Sequence, residues 1–164
     1  SGINPLVEEE ATTIRVPSGD NDDFCADTAA AIIKSQKPAL TFIHFHQPDV
    51  VGHNIGHHTP EYFNELKKVD ARIGKIVHAV QEAGMTEHTV ILVSADHGGK
   101  DKGHGGKSLD EVQIPWIVYG KGVHKGHQIN NTIITYDTGA TLAWLLRLKT
   151  PQSWRGKPVT EAFK

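Results

Sequence analysis

Apolar and polar positions along the chain fall into two rhythms. Short runs rich in β-branched and aromatic residues read as strands: "ALTFIHFH" (39–46) after Pro38, "TVILVSA" (89–95) and "IPWIVYG" (114–120), with "TTIRV" (12–16) as a weaker edge candidate. "TVILVSA" is almost continuously apolar, the pattern of a strand covered on both faces. Longer stretches repeat at helical spacing. In 59–84, Phe63, Leu66, Val69, Ile73, Ile76, Val77 and Val80 mark one face; Thr59 caps the start, Pro60 and Glu61 follow, and Gly84 ends it. A helix over 22–36 opens with acidic residues and stops before Pro38, and another over 136–148 opens at Asp137 or Thr138. The order is β-α-β-α-β-β-α with long crossovers, which predicts an α/β fold: a mostly parallel sheet flanked by helices, in one domain spanning 1–164.

Composition changes this picture little. The 164 residues suffice for one hydrophobic core, and 38% apolar with 22% charged residues is ordinary for a globular chain. A formal net charge of −2 gives no basic field for nucleic acid, so none is expected as a partner. Cys25 is the only cysteine, which excludes an intramolecular disulfide and a thiolate zinc cage. No apolar run approaches the roughly 20 residues of a membrane span. The start, "SGINPLVEEE", has neither a basic region nor an apolar core of a signal peptide, and no initiator Met. The tail "KTPQSWRGKPVTEAFK" reads as a loop packed by Trp154 and Phe163. Histidine is the unusual count, at eleven.

The histidines matter because of where two of them fall. In an open parallel sheet, ligands gather beyond the carboxyl ends of strands. The run 39–46 leads into "HQPDVVGHNIGHH", with Asp49 and His53; the run 89–95 leads into Asp96 and His97, and His104 follows in the glycine-rich "SADHGGKDKGHGGKS". Carboxylate and imidazole without thiolate is a donor set for zinc and similar divalent ions, and is common in hydrolytic centres. Each pair alone is also explained by loop chemistry, and Asp96 could simply make a turn. His44 and His46 read as partnered strand residues, and His57 and His58 as surface residues or supports for the ligands. His78, His88, His124 and His127 read as exposed. Lys100, Lys102 and Lys107 could attract an anion or form a solvated loop.

Together, "PDVVGHNIGHHTPEY", "VDARIG" and "TVILVSADHGG" resemble the C-terminal half of the alkaline phosphatase superfamily, in its type I phosphodiesterase and nucleotide pyrophosphatase branch. "GHGGKSLDEVQIPWIVYGKGVHKG" and the closing "YDTGATLAWLLRLKTPQSWRGKPV" continue the likeness, with Gly156-Lys157-Pro158 at the family's tail motif, so that it covers nearly all of 39–164.

The resemblance implies an alkaline-phosphatase-like fold, incomplete here because its N-terminal half is absent. It also implies two divalent ions, zinc first and manganese second, one held by Asp49, His53 and His104 and the other by Asp96 and His97 with two upstream ligands. Those two, an Asp and a Thr or Ser nucleophile, have no match in this sequence; Thr28 lacks the flanking pattern. The expectation is therefore a phosphate mono- or diester hydrolase that, as this chain alone, is inactive and binds metal weakly or not at all, with a mobile glycine loop. Its substrate is a small phosphate ester, the intact protein is exported, with a cytoplasmic site as alternative, and this chain pairs as a homodimer through its open sheet. Sulfatase or phosphonate-ester chemistry is the alternative within the superfamily; a non-enzymatic metal-binding α/β module is the alternative outside it.

Overall fold

A computed structural model describes residues 13–164, which divide into two compact units. The first, residues 13–85 with 99–104, is helical. Helix α1, Asp22–Gln36, starts at Asn21, whose side-chain oxygen accepts from Phe24 N at 2.9 Å, and ends at Lys37 in a left-handed conformation ahead of Pro38. Helix α2 is the short Asp49–Asn54, and α3 is Pro60–Glu82, close to the expected span. Thr59 caps α3 by accepting from Tyr62 N, and Gly84 follows its end with φ +69°.

Helices α1 and α3 pack on each other through Ala26, Ala29 and Ile33 on one side and Ile76, Ala79 and Val80 on the other. The apolar stripe expected on α3 holds only in its second half. Phe63 and Leu66 are exposed, and the buried positions through the middle of the helix are Glu65 and Arg72. The reason lies on α1. Arg72 reaches Asp23 at 2.9 Å, Glu65 at 3.2 Å and the buried Asp22 at 3.7 Å, so the inward stripe changes from apolar to ionic where α1 begins. Lys68 joins Glu65 at 2.7 Å.

The run 39–46 forms no ladder, and Leu40 and Phe42 are exposed at 55% and 72%. Its own unit offers it only helices to lie beside, among the described residues. The described part of 12–16 carries no strand either; residue 12 and the segment "SGINPLVEEE" lie outside the described residues.

The second unit, residues 86–98 with 105–164, contains the sheet. Strands β1, Val90–Ser94, and β2, Trp116–Gly120, pair with Val90 opposite Gly120 and Ser94 opposite Trp116. The pairing is antiparallel, where parallel pairing was expected. The intervening chain, 95–115, holds only the four-residue helix α4, Leu109–Val112, in place of the longer helix that usually makes a parallel crossover. β2 alternates in burial, with Ile117 and Tyr119 outward. Helix α5, Thr135–Leu145, is fixed by Asp137, whose carboxylate accepts from Ile134 N and from Lys157 N, and by the fully buried Thr141, which accepts from Val159 N. Thus the chain is α/β as expected, with helices and a small sheet. No helix among the described residues is long and apolar enough to cross a membrane.

Candidate metal centre

Asp49 and His53 stand on the same face of α2, one turn apart, as i and i+4 on a helix must. His104 comes from the 99–104 loop. The three offer one carboxylate oxygen and two imidazole nitrogens, all within 4.8 Å of one another. His53 Nε2 lies 3.5 Å and His104 Nε2 4.0 Å from Asp49 Oδ1, and the two rings are tilted edge to face at 5.0 Å.

Protonation explains what the cluster lacks. His53 Nδ1 is 3.0 Å from Lys102 O, and a carbonyl only accepts, so Nδ1 carries the proton. In the neutral ring Nε2 is then a lone pair, and it faces Asp49 Oδ1, another acceptor. Asp49 Oδ1 is buried and, among the described residues, has no hydrogen-bond donor. A buried carboxylate oxygen opposed by the His53 lone pair needs a cation, either a proton on the imidazole or a metal ion. The donor set suits zinc and also manganese, and the carbonyl that fixes the His53 ring is the outer support such ligands use. Tyr62 registers the same charge: burial first, and then the Asp49 carboxylate, hold its hydroxyl above the usual tyrosine range.

Two supports place these groups. Asp22 accepts from His46 N at 2.9 Å and Gln47 N at 3.0 Å, pinning the residues that lead into Asp49. The 99–104 loop closes on itself through Lys100 and Gly103, whose N–H groups each donate to the other's carbonyl at 2.9 and 3.0 Å, around Asp101 at φ +51°. It is tied down by His57 to Asp101 O, His58 Nε2 to Gly99 O, and Lys102 Nζ to Asn54 O.

In the second unit, Asp96 and His97 follow β1 as expected. Asp96 is exposed and accepts from His97 N at 3.1 Å; His97 Nδ1 donates to Gly98 O at 2.7 Å, which directs its Nε2 to within 3.6 Å of Asp96 Oδ2. Among the remaining histidines, His46 lies 3.3 Å from Asp20, a partnered residue as its position suggested, and His127 meets Glu161 at 3.4 Å. Sequence reasoning took Asp22 only for a helix-start acid and missed Arg72 altogether. An arginine on the inward face of an amphipathic helix was the available signal.

Comparison with known proteins decides the family. The profile of type I phosphodiesterase / nucleotide pyrophosphatase matches residues 8–111, more than half of the chain. The chain belongs to this family. Within the alkaline phosphatase superfamily it is similar to GPI ethanolamine phosphate transferase 1 of Neurospora crassa, 31% identical over 109 residues, which are 63% of this chain and 11% of the transferase. It is likewise similar to a 2,3-bisphosphoglycerate-independent phosphoglycerate mutase of Rhodopseudomonas palustris, 31% identical over 138 residues, 80% of this chain and 25% of the mutase. In fold it resembles a candidate sulfatase structure from Bacteroides thetaiotaomicron, with TM-score 0.56 at 16% identity, over 92% of this chain and 36% of that one. The chain thus spans a tenth to about a third of the proteins it matches. The alkaline-phosphatase-like α/β fold, present as part of a domain, is therefore established.

Proposed function

We propose that the chain supplies part of a two-ion centre that hydrolyses phosphate mono- or diesters, with Asp49, His53 and His104 as one ligand set and Asp96 and His97 as part of the other. We further read all 164 residues as the C-terminal part of a single catalytic domain. The observation that carries the reading is the buried Asp49 Oδ1, without a donor among the described residues, facing two imidazole nitrogens. A bound divalent ion would supply charge neutralisation for a phosphoryl oxygen. The chain's own residues do the rest. Lys102 O holds the proton of His53 on Nδ1 and so keeps Nε2 as a donor pair, and the Asp22 contacts keep Asp49 at the start of α2. Zinc is the ion favoured, because two imidazoles and one carboxylate are a donor set it would accept, and it would there serve as a Lewis acid.

The test is equilibrium dialysis of the purified chain against Zn²⁺. Saturable uptake that is lost in Asp49→Asn and in His53→Ala is expected, and uptake indifferent to both would overturn the assignment. Turnover is the second arm. The sequence carries no match to the family's Thr or Ser nucleophile pattern, so these 164 residues should not hydrolyse p-nitrophenyl phosphate or its diester with Zn²⁺ or Mn²⁺ present. Metal-dependent turnover abolished by Asp49→Asn would refute the inactive reading while supporting the ligand set.

A further inference from the structure

The loop "GKDKGH" (99–104) delivers His104, yet it has no apolar side chain with which to anchor itself. Its place is set by hydrogen bonds and by whatever packs beneath it, and His57 supplies both. The His57 ring is buried, at 8% exposure. It fills a slot between α2 and the loop that only glycine walls leave open. A Cβ at Gly52 would fall 2.4 Å from His57 Nε2, and one at Gly99 would fall 2.1 Å from Nε2 and from Cδ2. The His57 backbone N–H donates to Asp101 O at 2.7 Å, and Nδ1 donates to the same carbonyl at 3.2 Å. The ring also meets His53 edge-on at 6.3 Å and Tyr62 at 5.3 Å, so it touches both the ligand helix and α3.

We propose that His57 is a positioning residue: a wedge, keyed by Gly52 and Gly99, that sets the 99–104 loop so that His104 reaches Asp49 and His53. It is not itself one of the ligand atoms. Cation affinity of the triad depends on it because the three donors come from two segments, and a loop free to drift removes one of them. This rests on the metal-binding reading of the triad; the loop-setting role can be tested apart from it.

The experiment uses the whole chain as wild type, His53→Ala, His57→Ala and His57→Asn. Co²⁺ affinity is followed by visible absorption, and hydrogen exchange over 99–104 is followed without metal. His57→Ala should weaken Co²⁺ binding at least ~tenfold, the scale seen when outer supports of metal ligands are removed. It should also speed exchange in 99–104 while leaving exchange in α1 unchanged. His57→Asn, which returns a side-chain N–H near Asp101 O, should recover part of both. Co²⁺ affinity within about twofold of wild type together with unchanged loop exchange in His57→Ala overturns the proposal. If the wild type shows no saturable Co²⁺ binding, or binding survives His53→Ala, the metal reading fails, and the exchange comparison alone then decides the role of His57. Should His57→Ala not fold, His57→Asn decides by the same two readouts.

Discussion

Replacing Arg72 by methionine isolates the ionic half of the α1–α3 interface. Methionine fills most of the arginine stem's volume, so the change is mainly the loss of the guanidinium. Arg72 is buried with Asp22 and Glu65, and its strongest bonds go to Asp23. Its removal leaves two buried carboxylates facing an apolar side chain. Breaking a buried pair from one side costs about 3–5 kcal/mol. Asp22 keeps the His46 and Gln47 N–H groups, and Glu65 keeps Lys68 at 2.7 Å, which puts the expected loss at the low end, about 3 kcal/mol. Asp23 is exposed and adds no energy to this figure. In urea the midpoint should fall by about 1–3 M, for a slope of about 1–3 kcal/mol per M.

The pH dependence supplies the sharper check. Burial pushes the Glu65 carboxyl up, but the bonds from Lys68 and Arg72 outweigh it, and the group sits below its ordinary 4.5. A carboxyl lowered in the folded state stabilises above its unfolded value, and that stabilisation disappears as pH falls through the lower folded one. Arg72→Met removes part of that stabilisation. The deficit should be full near about pH 7 and shrink towards about pH 4, where carboxyls take up protons. Urea unfolding followed by far-ultraviolet circular dichroism at the two pH values reads both effects. A deficit below about 1 kcal/mol near neutrality, or one equal at both pH values, would refute the reasoning.

Asp137→Ala removes the acceptor of Ile134 N and Lys157 N at once, and should cost about 1–2 kcal/mol, with faster hydrogen exchange at both amides and little change in α3. Exchange unchanged at Lys157 would show that the tail is held otherwise. Leu40 and Phe42 expose apolar side chains on a segment without a ladder, so the chain should self-associate as concentration rises, and Leu40→Ser with Phe42→Ser should restore a monomer in sedimentation. Association that persists in the double variant would move the contact elsewhere, for which Ile117 and Tyr119 on β2 are the next surface to substitute.

Much of this was legible in the sequence, but unevenly. Helix ends were readable because their signals are local: Thr59 and Pro60 open α3, and Lys37 stops α1 just before Pro38. The residues alone offered two Asp/His pairs past strand ends, Asp49 with His53 and Asp96 with His97, and a glycine-flanked His104; the grouping of Asp49, His53 and His104 came from the family resemblance. Strand pairing was not legible, since whether a strand finds a partner, and in which direction, is decided by segments far away in sequence. "ALTFIHFH" has strand composition and no ladder, while "TVILVSA" and "IPWIVYG" pair antiparallel, with only α4 between them. Arg72 was legible only as an arginine on the inward face of an amphipathic helix; its partners were not, because apolar periodicity counts Phe63 and Leu66 as inward and has no means of seeing Asp22 and Asp23 waiting on another helix. His57 was weighed between surface and support. Its slot is defined by two missing side chains, Gly52 and Gly99, which are distant in sequence.

The backbone of the 99–104 loop is almost fully committed: Gly99 O to His58, Lys100 and Gly103 to each other, Asp101 O to His57, and Lys102 O to His53. Surface loops usually absorb extra residues at small entropic cost. This one has no slack in which to absorb them. One added residue between Gly99 and His104 would put every later carbonyl out of phase with its histidine, so length variation among relatives should be confined to the chain on either side, with these six residues inherited as a block of fixed length.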